Sequence, residues 1–210
     1  MTAQVDLENK LVTPDRIAEM ALDDPALLQE LLAGIAPTSQ KSARRENCSQ
    51  ALMFMAETWP EPLLTHWDYF VQLFKSSNGF SKYVAIYVIA SLTKAAPERF
   101  TSTLEEYFML LNDESVMVAS HAALNSGKIA QACPTLQPEI IHRLIQIDQT
   151  NHDLNHLGLI KAYIVEALDL LYPTASNQSE IMGFIKAQIG CPSPKTVKLA
   201  KAFLKKWQAN

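Results

Sequence analysis

The sequence predicts an all-α protein, an α-solenoid of stacked helix pairs with about eleven helices. Three observations carry that expectation. Prolines recur at Pro60, Pro97, Pro134 and Pro173, at spacings of 37, 37 and 39 residues, each after a helical segment. Two rows of residues keep the same step: the small residues Cys48, Ala85, Ala122, Ala162 and Ala200, and the larger set Val71, Phe108, Ile145 and Ile185, with Phe70, Tyr107 and Leu144 beside it. The chain holds only 6 glycines, and no stretch alternates apolar and polar residues between turn signals, which disfavours a sandwich or barrel. Self-similarity at a fixed period of this length is the mark of a repeat architecture, in which each helix pair buries its apolar stripe only by stacking on its neighbours.

The elements follow in chain order. Residues 14–22 and 25–35 form two short helices whose apolar set is Ile17, Met20, Leu22, Leu27, Leu28, Leu31 and Leu32, with Thr13 as an N-cap. Gly34 and Pro37 then break the chain into the linker APTSQKSARR, so residues 1–40 read as an N-terminal helical cap and linker, and residues 41–210 as the repeat array. In the array a first helix, A, precedes each proline: 43–58, 80–96, 115–132, 156–172 and finally 195–208. Proline ends each of the first four because it lacks an N–H and clashes with the preceding turn. A second helix, B, follows each proline: 62–76, 98–112, 138–148 and 177–190. Helix 62–76 places Leu63, Leu64, Trp67, Phe70, Val71 and Phe74 at helical spacing on one face. Pro138 suits a first helical turn, Ser176 and Ser193 suit N-caps, and Asn155 suits the cap of the fourth A helix. The small-residue row lets neighbouring A helices approach closely, while the Phe70, Tyr107 and Leu144 row fills the layer between A and B.

Paired helices of this length, a proline between A and B and small residues in the middle of A resemble HEAT or armadillo-like repeats over roughly residues 41–210. The stretches NGFSKYVAIYVIASLTKAAP and SVMVASHAALNSGKIAQACP are also similar to uncharacterised prokaryotic HEAT-like proteins. A regular Asp and Arg/Lys pair at the inter-helix turns, part of the better-defined HEAT pattern, is missing. The resemblance implies the fold and no particular chemistry.

Composition narrows the function. The 210 residues are 48% hydrophobic and 19% charged, so a core forms without disulfide or metal staples. Cys48, Cys133 and Cys191 are odd in number and widely spaced, the pattern of thiols in a reducing cytoplasm. The opening MTAQVDLENKLV has no apolar core of a secretory leader, and the longest apolar run, Tyr83 to Ala90, is too short for the roughly 20 residues a membrane span needs. A cytoplasmic protein without a membrane partner is expected. The net charge of −4 disfavours a general nucleic-acid surface. Charge is nevertheless polarised: residues 1–36 carry seven acids and two bases, and residues 193–210 carry five lysines and no acid. The acidic pair of helices and the lysine-rich last helix are expected to cap opposite ends of the array.

No motif for a nucleophile, a phosphate loop or a dinucleotide appears, so neither catalytic residues nor a cofactor is assigned. The one metal-like cluster, His152, Asp153 and His156 in HDLNH, falls in a B-to-A loop and reads as surface, so no metal site is assigned either. His121 reads as a buried helix histidine, and His66 and His142 as exposed ones. Trp59, Trp67, Tyr69 and Phe80 gather around the first two repeats. Trp67 fits the buried stripe, and Trp59 and Tyr69 are either partner anchors or edge packing against the N-terminal helices.

The expected function is therefore a non-enzymatic protein–protein interaction scaffold or adaptor that binds a protein or peptide segment on a concave face lined by B helices. Its candidate contact residues are the B-helix positions outside the core: His66, Tyr69, Gln72, Glu106, Met109, His142, Arg143 and Gln146. These are mixed in charge, which suits a peptide better than a polyanion. The alternative is a DNA-binding protein or a DNA alkylpurine glycosylase, since one family of such enzymes uses HEAT-like repeats; Trp67 and Asp68 are the only pair that suggests it.

Overall fold

The structure, a computed structural model, describes residues 7–8 and 12–207. Most of the first twelve residues, read above as lacking a leader, and position 208, the expected end of the last helix, lie outside the described residues. Every regular element among the described residues is helical: α1 (Pro14–Leu22), α2 (Pro25–Gly34), α3 (Ala43–Thr58), α4 (Glu61–Leu64), α5 (Trp67–Leu73), α6 (Gly79–Leu92), α7 (Pro97–Met109), α8 (Val116–Ala132), α9 (Gln137–Ile145), α10 (Leu154–Leu171), α11 (Gln178–Ala187) and α12 (Pro194–Trp207). None of these helices is long and apolar enough to cross a membrane.

The expectation of about eleven helices meets twelve, because the stretch 62–76 is broken at Thr65 and His66 into α4 and α5. The Thr65 hydroxyl donates to the Pro62 carbonyl (3.1 Å), the acceptor that a continuous α-helix would give to the His66 N–H. That N–H turns instead to Leu63 O at 2.9 Å, a tighter turn. The other B segments also tighten toward their ends, into short 3₁₀ turns at Leu110–Asn112, Gln146–Gln149 and Gln188–Gly190. The A segment 80–96 stops at Leu92, where the Thr93 hydroxyl donates back to Ile89 O at 2.7 Å. The fourth A helix begins at Leu154 rather than 156. Its N-cap is Asp153, not Asn155: the Asp153 carboxylate accepts from the N–H groups of Asn155 and His156, both at 2.9 Å. Ser193 caps the Thr196 N–H of α12 at 3.4 Å, while Thr13 and Asn177, which takes the cap position expected of Ser176, make no side-chain cap bond to their helices.

Contacts divide the chain into two compact units, Met1–Ala96 and Pro97–Asn210. In the first, α3 packs between α1 and α6, with α2 against α1 and α3, and α5 against α6. Its core is built from Ile17, Leu31, Ile35, Cys48, Leu52, Met55, Leu63, Phe70, Ala85 and Ile89, all fully buried. The apolar run of α6 is buried except at Tyr83 and Tyr87, whose rings pair on its outer face at 4.9 Å. In the second unit α10 packs between α8 and α12, and α9 contacts α8, α10 and α11. Phe100, Tyr107, Ala122, Ile140, Leu144, Ala162, Leu168, Ile185 and Ala200 are fully buried there. Each large apolar side chain removed from water in this way contributes about 1.5–3 kcal/mol.

The two rows read from the sequence have a common physical role. Cys48, Ala85, Ala122, Ala162 and Ala200 are each 0% exposed, so every A helix turns a small residue inward. Close approach recurs beside them. A Cβ added to Gly127 of α8 would lie 3.2 Å from the Ala167 backbone of α10, and one added to Gly158 would lie 3.2 Å from Ser193 Cβ. Phe70, Tyr107 and Leu144 are likewise buried, and of the set beside them Phe108 and Ile185 are buried while Val71 and Ile145 are half-buried.

Hydrogen bonds repeat the same interval. Within the first unit the Tyr69 hydroxyl donates to Leu32 O (2.8 Å) and the Asn47 amide to Leu7 O (2.9 Å), across 37 and 40 residues. Within the second, the Gln137 amide donates to the Thr174 hydroxyl (3.2 Å), the Asn151 N–H to Asn112 Oδ1 (2.7 Å), the Thr196 hydroxyl to Gly158 O (2.5 Å) and the Trp207 indole to Asp169 Oδ1 (2.6 Å), across 37, 39, 38 and 38 residues. These six bonds each join residues 37–40 positions apart within one unit.

Candidate partner-binding faces

The eight candidate contact residues divide between the two units. On the first, Gln72 is exposed, and His66 and Tyr69 are half-buried. His66 sits at the break between α4 and α5, which turns it away from a straight helical register with Gln72. Tyr69 is edge-on to Phe70, with centroids 5.5 Å apart, and its hydroxyl is bound to the α2 carbonyl of Leu32. Burial pushes its phenol above the ordinary tyrosine range. Of the two roles open to Tyr69, the geometry gives packing against the N-terminal helices. Trp67 is 2% exposed and part of the core, with Asp68 exposed beside it. Trp59 is half-buried and meets Phe54 edge-on at 5.6 Å, while Phe80 lies beneath the Arg45 guanidinium at 4.2 Å.

A cavity of about 710 Å³ opens in this unit at the start of α3, lined by Lys41, Ser42, Ala43, Arg45, Glu46, Asn47 and Phe80. Sequence periodicity had no means of finding it, because it forms where the irregular linker meets α6. Ser42 caps the Arg45 N–H at 3.1 Å, and Arg45 also donates to Ser39 O at 3.3 Å, so the arginine is already engaged on both its ring and its carbonyl sides.

On the second unit α7 carries Glu106 and Met109, α9 carries His142 and Arg143, and Gln146 follows at the end of α9. Met109, at the end of α7, is 73% exposed, a large apolar side chain in water. Glu106 is half-buried one turn before it. Arg143 on α9 lies over the Phe108 ring at 5.4 Å and is held by Glu139 of its own helix at 2.8 Å and by Glu105 of α7. The hydrogen bond from Arg143 keeps the Glu105 carboxyl below the ordinary range, and the two carboxylates together raise the arginine. Arg143 is therefore a clasp between two B helices rather than an unengaged cation, a pairing that the 38-residue separation hid from the sequence. His142 is exposed. Its ring Nε2 and the Gln146 side-chain amide nitrogen are hydrogen-bonded at 2.7 Å.

The other histidines of this unit serve packing and capping. His152 Nε2 meets Leu111 O at 2.9 Å, and His156 Nδ1 lies 3.0 Å from Asp153, the helix cap. Among the described residues no three His, Cys, Asp or Glu side chains gather as metal ligands. His121 is half-buried against Tyr163, with ring centroids 5.6 Å apart, and Lys195 lies over the same tyrosine at 3.9 Å. Burial, with Lys195 adding to it, holds the His121 imidazole below its usual pKa.

Compared with family models, with curated proteins and with solved structures, the chain matches none.

Proposed function

We propose that the chain is a HEAT-like α-solenoid and that it acts as a non-enzymatic interaction scaffold, binding a protein or peptide segment on its B-helix face. The supporting observation is the α7–α9 surface. An exposed Met109 stands one turn from half-buried Glu106 on α7, Arg143 of α9 is fixed by Glu105 and Glu139, and His142 is bonded to Gln146. An apolar anchor among preset polar groups binds a segment with little ordering cost on the protein's side. Repeat-spaced contacts inside each unit support the architecture, and the free cysteines Cys48, Cys133 and Cys191 fit a reducing cytoplasm. The glycosylase alternative loses support at Trp67, which is packed in the core and so not available to stack on an extruded base.

The test is peptide selection against the folded chain, with binding mapped by chemical-shift perturbation. Selected peptides are expected to perturb Glu106, Met109, His142 and Gln146, and Met109→Asp is expected to weaken them by about tenfold or more. Failure to select any peptide, together with base release from alkylated DNA that Asp68→Asn abolishes, would replace the scaffold with the enzyme.

A further inference from the structure

Two exposed stripes of opposite charge lie on helices at the two ends of the sequence. On α12, Lys198, Lys201 and Lys205 are exposed and make no ion pair among the described residues, unlike Lys195, which meets Glu166 at 3.4 Å, and Lys206, which meets Asp169 at 2.9 Å. At about 100° per residue the three fall within an arc of about 60°, opposite the buried Thr196, Ala200 and Phe203. On α1 and its C-cap, Asp15, Glu19 and Asp23 are exposed and fall within an arc of about 80°, opposite the buried Ile17, Ala18 and Ala21. Arg16, the one base of α1, is held by Glu19. At about 1.5 Å of rise per residue the stripes are about 10 and 12 Å long, so they match in length as well as in sign.

Like charges at i, i+3 and i+4 repel, so the lysine stripe, and the acidic stripe with Arg16 as its one base, both gain from further counter-charge. Beside the lysines a cavity of about 450 Å³ is walled by Cys191, Pro192, Pro194 and Val197 and rimmed by Lys198 and Lys201. It takes an apolar side chain flanked by acids. Leu22 of α1, half-buried at the edge of the acidic stripe and next to Asp23, is such a side chain.

We infer that the lysine stripe of α12 docks the acidic stripe of α1 from a second copy of this chain, with Leu22 entering the cavity beside Lys198 and Lys201. The two surfaces differ, so the contact is heterologous: each copy offers one of each, and association continues past the dimer. Being ionic and exposed, it is weakened by salt.

Sedimentation velocity over a wide concentration range, in about 50 mM and about 500 mM salt, reads this out. The expected result is a mass that rises with concentration beyond the dimer at low salt and falls back toward the monomer at high salt. Two charge reversals sharpen the test: Lys198→Glu with Lys201→Glu and Lys205→Glu, and Asp15→Lys with Glu19→Lys and Asp23→Lys. Each triple variant alone is expected to stay monomeric, and an equimolar mixture to associate again, because either stripe then finds its opposite on the other variant. Circular dichroism melts check that both remain folded. If either does not, the single variants Lys201→Gln and Leu22→Asp replace them, each expected to shift the association to at least several-fold higher concentration. A wild-type chain that stays monomeric at low salt, salt sensitivity without concentration dependence, association that survives the reversals, or a mixture that does not recover would each overturn the inference. So would a monomer whose lysine stripe instead retains duplex DNA, the result expected if a polyanion is its partner.

Discussion

Replacing Ala122 by leucine sets packing density against hydrophobic gain at a single site. Ala122 lies in the middle of α8, 0% exposed, in a helix that packs along α10. Its carbonyl accepts from the Tyr107 hydroxyl and the Ser126 hydroxyl, both at 2.9 Å, so α7 is tied to α8 at this very turn. Three added carbons would gain about 2 kcal/mol of transfer free energy if the site could expand. The site is closed by neighbours on both sides, and the same row continues as Ala162, also 0% exposed, in α10. Forcing the helices apart would lengthen the Tyr107 bond. Overpacking of this kind costs about 1–3 kcal/mol, which lowers Tm by about 2–12 °C for a chain of this size. Urea and thermal melts followed by circular dichroism measure it, with Ala202→Leu on the exposed face of α12 as the control, expected within about 0.5 kcal/mol of wild type. If Ala122→Leu behaved like the control, the small-residue row would not mark close helix contacts, and the repeat register derived from it would be wrong.

Three further expectations follow from the same contacts. A methyl added at Gly34 would stand 2.8 Å from Cys48 Cβ and closer still to its sulfur. Gly34→Ala should therefore destabilise by about 1–3 kcal/mol, and Cys48→Ala in the same chain, which removes the sulfur but leaves the Cβ in contact, should recover only part of that loss in a double-mutant cycle. Burial pushes the Cys48 thiol up to about 11 and also raises Cys133, so at pH 8 a disulfide reagent should label the half-buried Cys191 in the native protein and reach the other two only after urea. The folded chain holds His121 below the ordinary histidine value of 6.5, so the unfolded chain binds that proton more readily. Its contribution is whole above pH 6.5 and shrinks as the pH falls below it, and His121→Leu should flatten that part of the urea-midpoint profile between pH 7.5 and 5.5.

Much of the fold was legible because its period is written in residues that cannot be exchanged freely. Prolines stand between A and B segments, at Pro97 as the first residue of α7, and a small residue is buried in every A helix. The fully buried Cys48, Ala85, Ala122, Ala162 and Ala200 answer to the second signal. What the sequence concealed depends on single hydrogen bonds. The break between α4 and α5 turns on which donor takes the Pro62 carbonyl, and the start of α10 turns on Asp153 outcompeting Asn155 as a cap. Apolar periodicity is blind to both. The candidate faces were legible only as helix positions outside the core. Their engagement was not, since Arg143 meets Glu105 across 38 residues and Tyr69 meets Leu32 across 37. The cavities were beyond periodicity altogether, because they open beside the irregular linker and the Cys191–Pro194 loop.

The repeat register itself is most directly tested by aromatic nuclear Overhauser contacts in the folded 23.4 kDa chain. Tyr172 at the end of α10 lies 5.1 Å, ring centroid to centroid, from both Phe203 and Trp207 of α12, and Tyr163 lies 5.6 Å from His121 of α8. Cross-peaks linking Tyr172 to Phe203 and Trp207, and Tyr163 to His121, are the result that stacking of A helices one repeat apart predicts. A well-dispersed spectrum in which those rings show contacts only within their own helices would contradict it.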